Sequence, residues 1–404
     1  MASIIVIGAG QAAAAFAAKF RTFDTDTQIT IIGDEPVIPY QRPPLSKKYA
    51  TGDMTVAQLN LRPERWYGDQ NVELVTHTSV LAIDRDAKTV SLSDGTQRAW
   101  SKLVFATGSR VRELPEAVTK GLRSIHYLRT LADADLFGAA LQTGKRVLIV
   151  GGGYIGLEAA AVCATKGMDV TLVEASERIL QRVACKETSD WFRALHRAHG
   201  VTLHEGLGLS HFEGKGGVLT SATMTDGSVI KAEVAVVGIG IIPNDTLAQS
   251  CGLEVANGIV VDAFCQTSDP DIYAAGDCAV APYCDIPTRL ESVPNAIDQA
   301  NIAAANIANA TATAYVAKPW FWSDQYDVKL QIAGLNRGYD HVVTRAGDTD
   351  RSRAHFYYHG DQLLAIDAMN APRVYMIGKR LLEAGKSIAA DLAADVTFDL
   401  KTLL

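Results

Sequence analysis

Residues 1–14 read MASIIVIGAGQAAA, and the way this stretch is understood decides the rest of the chain. Ser3 to Ile7 is a short apolar, β-branched run of the kind that forms a buried strand. Gly8, Gly10 and Ala13 follow at the spacing G-x-G-x-x-G/A, and an alanine-rich helical stretch runs from Ala12 to Phe20. Gly8 allows the tight turn, Gly10 lets a pyrophosphate approach the backbone, and Ala13 is small enough for the helix to pack on the strand. Gln11 and Ala12 open the helix, whose N-terminus is then aimed at the phosphates. Such turns also occur for purely steric reasons, so the weight comes from a second copy. Arg146 to Val150 reads as another strand, and Gly151, Gly153 and Gly156 repeat the spacing in VLIVGGGYIGLEAA, with Tyr154 and Ile155 in the positions of the helix start. Two fingerprints this far apart predict two dinucleotides in separate domains.

The length of 404 residues suits two or three domains, and 48% hydrophobic with 21% charged residues is ordinary for a soluble globular protein. A net charge of -7 and a pI near 5.7 argue against a nucleic-acid binder. No apolar run reaches the length of a membrane span. The stretch IIVIGAGQAAAAFAA imitates the core of a signal peptide, but no cation precedes it, so a cytoplasmic, unprocessed chain is expected. None of the six cysteines forms a C-x-x-C pair, so neither a redox dithiol nor a zinc knuckle is indicated and no metal site is expected.

Taken in order, Gln28 to Gly33 is the second strand, and the acidic Asp34 and Glu35 at its end suit a ribose diol. Arg42 and Lys47 sit in a proline-dense loop, either as solvated charges or as cations held for a cofactor. Residues from about Asn71 to Arg98 read as a β-rich insertion, and Lys102 to Gly108 as a strand closing on the small-residue turn Ala106-Thr107-Gly108. In the second domain Asp169 to Val173 is the next strand, with Glu174 at its tip. A carboxylate there repels a 2′-phosphate and so favours NADH over NADPH, a preference that Arg178 and Arg182 nearby weaken. Glu158, just past Gly156, is either a plain carboxylate in the first helical turns or a functional one. Val234 to Pro243 reads as a strand with a glycine turn at Gly238, Ile239 and Gly240, returning the chain to a discontinuous first domain. Asp277 ends the short strand Ile272 to Ala275, and a helix follows with Ser292 near its cap and Pro294 in its first turn. From Pro319 the chain turns aromatic and then strand-like, as a small α+β domain. Trp320, Phe321 and Trp322 read first as packing residues.

The stretches PYQRPPLSK, FATG, YLRT, VGGGYIGLE, VVGIGIIPN, TSDPDIYAAGDCA, ESVPNA and PWFWSDQYD, in this order, resemble the FAD-dependent, NADH-oxidising ferredoxin reductases that serve bacterial haem-thiolate monooxygenases and Rieske oxygenases, relatives of apoptosis-inducing factor. The resemblance implies an α/β fold with two Rossmann-like dinucleotide-binding domains in a glutathione-reductase-like arrangement and a C-terminal α+β domain. It divides the chain into an FAD domain of residues 1–110 plus 242–318, an NADH domain of 111–241 and a C-terminal domain of 319–404. By that likeness Asp34 holds the adenosine ribose and Arg42, Lys47, Val80 and Arg129 contact FAD. Asp277 takes the ribityl chain, Ser292 and Val293 sit at the flavin ring, and Trp322 lies against flavin and nicotinamide. Lys47 and Glu158 form an ion pair beside the reacting atoms, and Glu174, Arg182 and the turn Gly238 to Gly240 serve NAD.

The reaction so implied takes hydride from NADH onto FAD and passes electrons singly to a [2Fe-2S] ferredoxin, by a chain expected to be a monomer. An acidic ferredoxin would use basic residues such as Arg337, Arg345, Arg351, Arg353, Lys379 or Arg380, against the alternative of scattered surface charge. The competing readings are a reductase of another acceptor, such as rubredoxin, a quinone-like oxidant or monodehydroascorbate, and a slow NADH sensor like apoptosis-inducing factor.

Overall fold

The computed structural model describes residues 3–284, 286–308 and 312–404, which fall into two compact units. The first comprises residues 1–41, 56–110 and 241–319; the second comprises 42–55, 111–240 and 320–404.

The β-branched runs form the centre of each unit. In the first, Ser3–Ile7 pairs in parallel with Gln28–Ile32 on one side and Lys102–Phe105 on the other. Val72–Val75 and Ile272–Ala274 complete a five-stranded parallel sheet at its two edges. Strands buried on both faces read as continuous apolar runs, and SIIVI, QITII and KLVF do so. The helix Gln11–Phe20 packs its alanines against those of the helix Val293–Ala308, the small side chains letting the two backbones come close. The expected β insertion is smaller than the sequence suggests. Val72–Val75 belongs to the parallel sheet, and only Val80–Asp84, Thr89–Leu92 and Gln97–Ala99 form the antiparallel meander.

The second unit repeats this plan. Arg146–Val150 is flanked in parallel by Asp169–Glu174 and Val234–Val237, with Thr202–Glu205 and Ile125–His126 outside them. A meander of Leu209–Lys215, Val218–Met224 and Val229–Lys231 occupies the same place in the chain order. The same unit holds a five-stranded antiparallel sheet in the order Trp320–Gln325, Val328–Gly334, Gln362–Met369, Arg353–His359, His341–Ala346, with the helix Pro372–Glu383 packed on it.

The sequence reading separates residues 319–404 from 111–241, whereas the contacts join them, and the reason is a shared apolar core. Val328, Leu330 and Met369 are buried in the cluster that holds Phe137, Leu157, Leu172 and Phe192. Ala50 lies in the same cluster, which is why residues 42–55 leave the first unit to which they were assigned.

Candidate functional site

Each fingerprint is a built cradle. Gly8 has φ +104°, and a Cβ there would stand 2.2 Å from the Ala106 carbonyl oxygen. Its counterpart Gly151 has φ +105°, with the Gly238 carbonyl oxygen 2.4 Å from the same point. No L-residue with a side chain takes that conformation in that space. Gly10 and Gly153 cap the two helices in extended conformation, and a Cβ on either would meet nothing within 4 Å. That open face is where a pyrophosphate fits. The first intrahelical bonds run from Ala14 N–H to Gly10 C=O and from Leu157 N–H to Gly153 C=O. Gln11, Ala12 and Ala13, like Tyr154, Ile155 and Gly156, thus stand in the first turn, whose N–H groups have no intrahelical partner.

In the first unit the cradle is closed from behind by Gly276, where a Cβ would lie 3.3 Å from Ala296 Cβ and 3.5 Å from Ala12 Cβ. Two helix starts therefore converge on Gly276-Asp277. Gln299 Oε1 accepts from the Gly276 N–H at 2.8 Å and from Asn295 Nδ2 at 3.2 Å, and Tyr315 donates to Asn295 Oδ1. Ser292 Oγ accepts from the Asn295 N–H at 3.3 Å, next to Val293 at the helix start. Ser109 Oγ donates to Asp277 Oδ2 at 2.9 Å. Thr107 and Asn244 exchange side chain-to-backbone bonds of 2.7 and 2.9 Å, which hold the turn Ala106 to Gly108 against the chain at 244. Tyr40 occupies Glu35 Oε2 at 2.7 Å, while Asp34 beside it is exposed. Val80 opens the first strand of the meander and is half-buried.

In the second unit Glu174 is fixed by backbone donors: Gly152 N–H reaches Oε2 at 2.6 Å and Ser176 N–H reaches Oε1 at 2.7 Å. The carboxylate is thereby held at the fingerprint loop with lone pairs to spare for a diol. Arg182 Nη2 comes within 3.8 Å of the Cβ position at Gly240, so this cation lies at the turn of Gly238, Ile239 and Gly240. Arg42 Nη1 donates to the Arg129 carbonyl at 2.6 Å, and Arg129 precedes the capping box of Thr130 and Asp133.

Two residues far apart in sequence meet in this unit. Lys47 Nζ lies 2.6 Å from Glu158 Oε2, with Glu158 only 3% exposed. The proline-started turn Pro43–Ser46 delivers the lysine, and the helix Tyr154–Thr165, buried nearly all round, delivers the carboxylate. Ser46 Oγ also donates to Oε2, at 2.7 Å, and Ser323 Oγ donates to Oε1 at 2.7 Å. A buried carboxylate costs several kcal/mol unless paired and hydrogen-bonded, and here three donors from two segments, residues 46–47 and residue 323, supply the pairing. Tyr154 and Phe321 rings meet tilted at 4.7 Å, and Trp320 and Trp322 stack at 5.6 Å, all half-buried. The three aromatics of residues 320–322 thus line the strand that carries Ser323.

Sequence reasoning singled out Lys47, Glu158 and the glycines but not Ser46, Ser323, Asn295 or Gln299. Ser46 and Ser323 stand inside PYQRPPLSK and PWFWSDQYD, so the position was visible although the role was not. Among the cations offered for docking, Arg345 is a correction. It is 8% exposed, and its guanidinium donates to the carbonyls of Leu392, Ala393, Asp395, Val396 and Phe398, tying down the C-terminal segment. Arg351 is paired with Asp327 and Lys379 with Glu383.

A second buried polar cluster lies between the helix Lys186–Ala198 and the C-terminal sheet. Thr188 Oγ1 is 2.7 Å from both His355 Nδ1 and Asp367 Oδ2, Tyr357 donates to the same Asp367 oxygen, and Cys185 Sγ is 3.3 Å from Thr188 Oγ1. Burial pushes Asp367 up to about 6, His355 down to about 4 and the Cys185 thiol up to about 11. Cys185, His355 and Asp367 are close enough to share a cation, but the Thr188 hydroxyl already bridges the histidine and the carboxylate.

Residues 2–300 match the family model of pyridine nucleotide-disulphide oxidoreductases, and residues 320–404 match the reductase C-terminal model. Rhodocoxin reductase of Rhodococcus erythropolis is 41% identical over 404 residues, covering 99% of this chain and 93% of its own. Putidaredoxin reductase of Pseudomonas putida is 38% identical, covering 100% and 96%. The reductase in the crystal structure of the covalent putidaredoxin reductase-putidaredoxin complex superposes with a TM-score of 0.96 at 38% identity, over 100% of this chain and 98% of that one. A flavin and a nicotinamide nucleotide are the cofactors of such a fold, and the two cradles fit them. The chain belongs to the pyridine nucleotide-disulphide oxidoreductase family, among its putidaredoxin reductase-like ferredoxin reductases.

Proposed function

We propose that this protein is a cytoplasmic NADH-dependent FAD enzyme that reduces a [2Fe-2S] ferredoxin serving a monooxygenase or Rieske oxygenase. The observation that carries the reading is the Lys47–Glu158 pair, a largely buried charge pair held by two serines, with its carboxylate two residues beyond the second fingerprint. When bound, FAD supplies the exchange between a hydride taken from NADH and single electrons given to an iron-sulfur centre.

The chain's own residues bind and orient. The helix start at Gly10 and Asp277 hold the pyrophosphate and ribityl portions, Asp34 the adenosine ribose, and Arg42 and Arg129 further FAD contacts. The start of the helix Val293–Ala308 would offer its partial positive charge to the flavin ring and favour negative charge there. Glu174 takes the NADH ribose. Lys47 and Glu158 would stand beside the bound flavin, where a fixed ion pair would position the nicotinamide and respond to charge on the ring. Trp322 would lie against the flavin and nicotinamide rings.

Although the family is named for disulphide chemistry, this chain has no C-x-x-C, and all six cysteines are free. A dithiol route for the electrons has no residues to use, which favours one-electron delivery to a protein acceptor. Six free thiols also suit a reducing compartment. Arg337 and Arg380 are exposed and Arg353 is half-buried, and these are the cations offered to an acidic ferredoxin.

The test is anaerobic stopped-flow mixing with NADH, followed by a [2Fe-2S] ferredoxin whose bleaching is monitored. Fast flavin reduction and fast bleaching are expected, and an idle ferredoxin would overturn the acceptor. Lys47→Ala and Glu158→Ala should each slow flavin reduction by on the order of 10–100-fold. Wild-type rates in both would remove the pair from the mechanism.

A further inference from the structure

Glu158 is the end of a hydrogen-bonded chain that runs from its carboxylate to a histidine on another helix. Ser323 Oγ donates to Glu158 Oε1 at 2.7 Å. Gln325 Nε2 donates to Ser323 Oγ at 3.2 Å, and Gln325 Oε1 faces His196 Nε2 at 2.8 Å. The hydroxyl of Tyr326 stands 3.2 Å from His196 Nδ1. Glu158, Ser323, Gln325 and His196 are all buried.

The direction of this chain follows from donor and acceptor counting. An ionised Glu158 only accepts, so the single Ser323 proton points to it. Ser323 must then accept from Gln325, which turns the amide nitrogen toward the serine and the amide oxygen toward His196. That oxygen requires an N–H, so the ring carries its proton on Nε2 and offers Nδ1 to the Tyr326 hydroxyl. Burial lowers the His196 pKa to about 4, which keeps the ring neutral and makes the tautomer meaningful. Every bond points its positive end the same way, toward the carboxylate.

We infer that His196 is a positioning residue for Glu158, acting through Gln325 and Ser323 to hold the carboxylate oxygen and sustain its charge. The inference rests on Glu158 acting at the flavin. An amide in the middle passes no proton in its ordinary form, so the chain orients and polarises; it does not shuttle. His199, stacked on Tyr326 at 3.7 Å and bonded through Nδ1 to the Leu195 carbonyl, holds the far end. The Thr188 cluster on the same helix has no bond into this chain and serves as an internal control.

The experiment uses the flavin-loaded enzyme. Long-range proton-nitrogen NMR of the imidazole should find His196 as the neutral Nε2–H tautomer, with its ring resonances moved by Glu158→Gln and unmoved by Thr188→Val. An Nδ1–H tautomer, a charged ring at neutral pH, or indifference to Glu158→Gln would overturn the inference without any turnover being measured. In kinetics, Gln325→Glu puts an acceptor opposite an acceptor and should slow the limiting rate of flavin reduction about tenfold, with the NADH Kd changed less than about twofold. Thr188→Val should leave that rate alone even where it lowers the unfolding temperature. Ser323→Thr, which keeps the hydroxyl, should retain the rate that Ser323→Ala loses. If Lys47→Ala and Glu158→Ala are slow but Gln325→Glu is not, the positioning chain fails. If none is slow, the assignment of the pair to the reaction fails instead.

Discussion

The two fingerprints solve one problem with opposite choices at two positions. In the first unit the residue between the leading glycines is Ala9, and the position facing it at the end of the next strand is Gly33, where a Cβ would sit 2.5 Å from the Ala9 Cβ. In the second unit the order is exchanged. Gly152 leaves room that Ile179 and Glu174 share, with Ile179 Cγ2 at 2.6 Å and Glu174 Oε2 at 3.2 Å from where a Gly152 Cβ would be. The register confirms the equivalence, since Ile7 pairs with Ile32 and Val150 with Val173, so Gly33 and Glu174 each follow the paired residue. The acidic group of the first copy accordingly comes one residue later, at Asp34. At the third glycine position the copies differ again: Ala13 carries its Cβ in a fully buried contact, whereas a Cβ on Gly156 would lie 1.9 Å from the Gly151 carbonyl oxygen. A duplicated backbone plan thus tolerates different side chains wherever one partner of a contact compensates for the other. At Gly156 the obstacle is a backbone carbonyl alone, whereas at Gly8 and Gly151 a backbone carbonyl and a positive φ coincide, and no side chain is tolerated.

The sharpest way to break the comparison is therefore at those two residues. Gly8→Ala and Gly151→Ala each combine forbidden φ with a carbonyl clash and should cost on the order of 3 kcal/mol or more. Gly8→Ala should purify without flavin, while Gly151→Ala should keep its yellow colour and lose reduction by NADH. Loss of flavin from Gly151→Ala would mean that the copies do not serve separate nucleotides. A smaller effect is expected at the third position. Gly156→Ala forces the helix off its loop, at about 1–3 kcal/mol read by thermal unfolding, whereas Ala13→Gly should cost only about 1 kcal/mol, the helix-propensity difference. If the two substitutions prove equal, the third positions are not differently packed. Glu174→Ala is read in binding, where it should raise the KM for NADH about tenfold and narrow the preference over NADPH. Equal efficiency with both nucleotides in the unaltered protein would remove Glu174 from that role.

Much of this was legible in local sequence because its causes are local. β-branched runs make strands, alanines make a helix, and glycine spacing makes the turn, all within a few residues of one another. The errors fall where membership depends on distant partners. NVELV looks like the first strand of an insertion, yet it completes a parallel sheet by pairing with residues 29–32. Arg345 looks like a surface cation because nothing near it in the chain opposes the charge. Its carbonyl acceptors lie about fifty positions downstream.

Sequence by itself determined the two dinucleotide cradles, since only glycine meets the backbone conformation at Gly8 and Gly151. It also determined the absence of a C-x-x-C pair and, through the resemblance, the expectation of a Lys47–Glu158 pair. Tertiary structure alone decided that the C-terminal segment shares its core with the second unit, because Val328, Leu330 and Met369 join Phe192 in one buried cluster across more than a hundred residues of chain. It alone decided what surrounds Glu158. Ser46, the strand pair Ser323 and Gln325, and His196 come from three separate segments, and a buried carboxylate selects donors by position in space, a quantity that no spacing along the chain encodes.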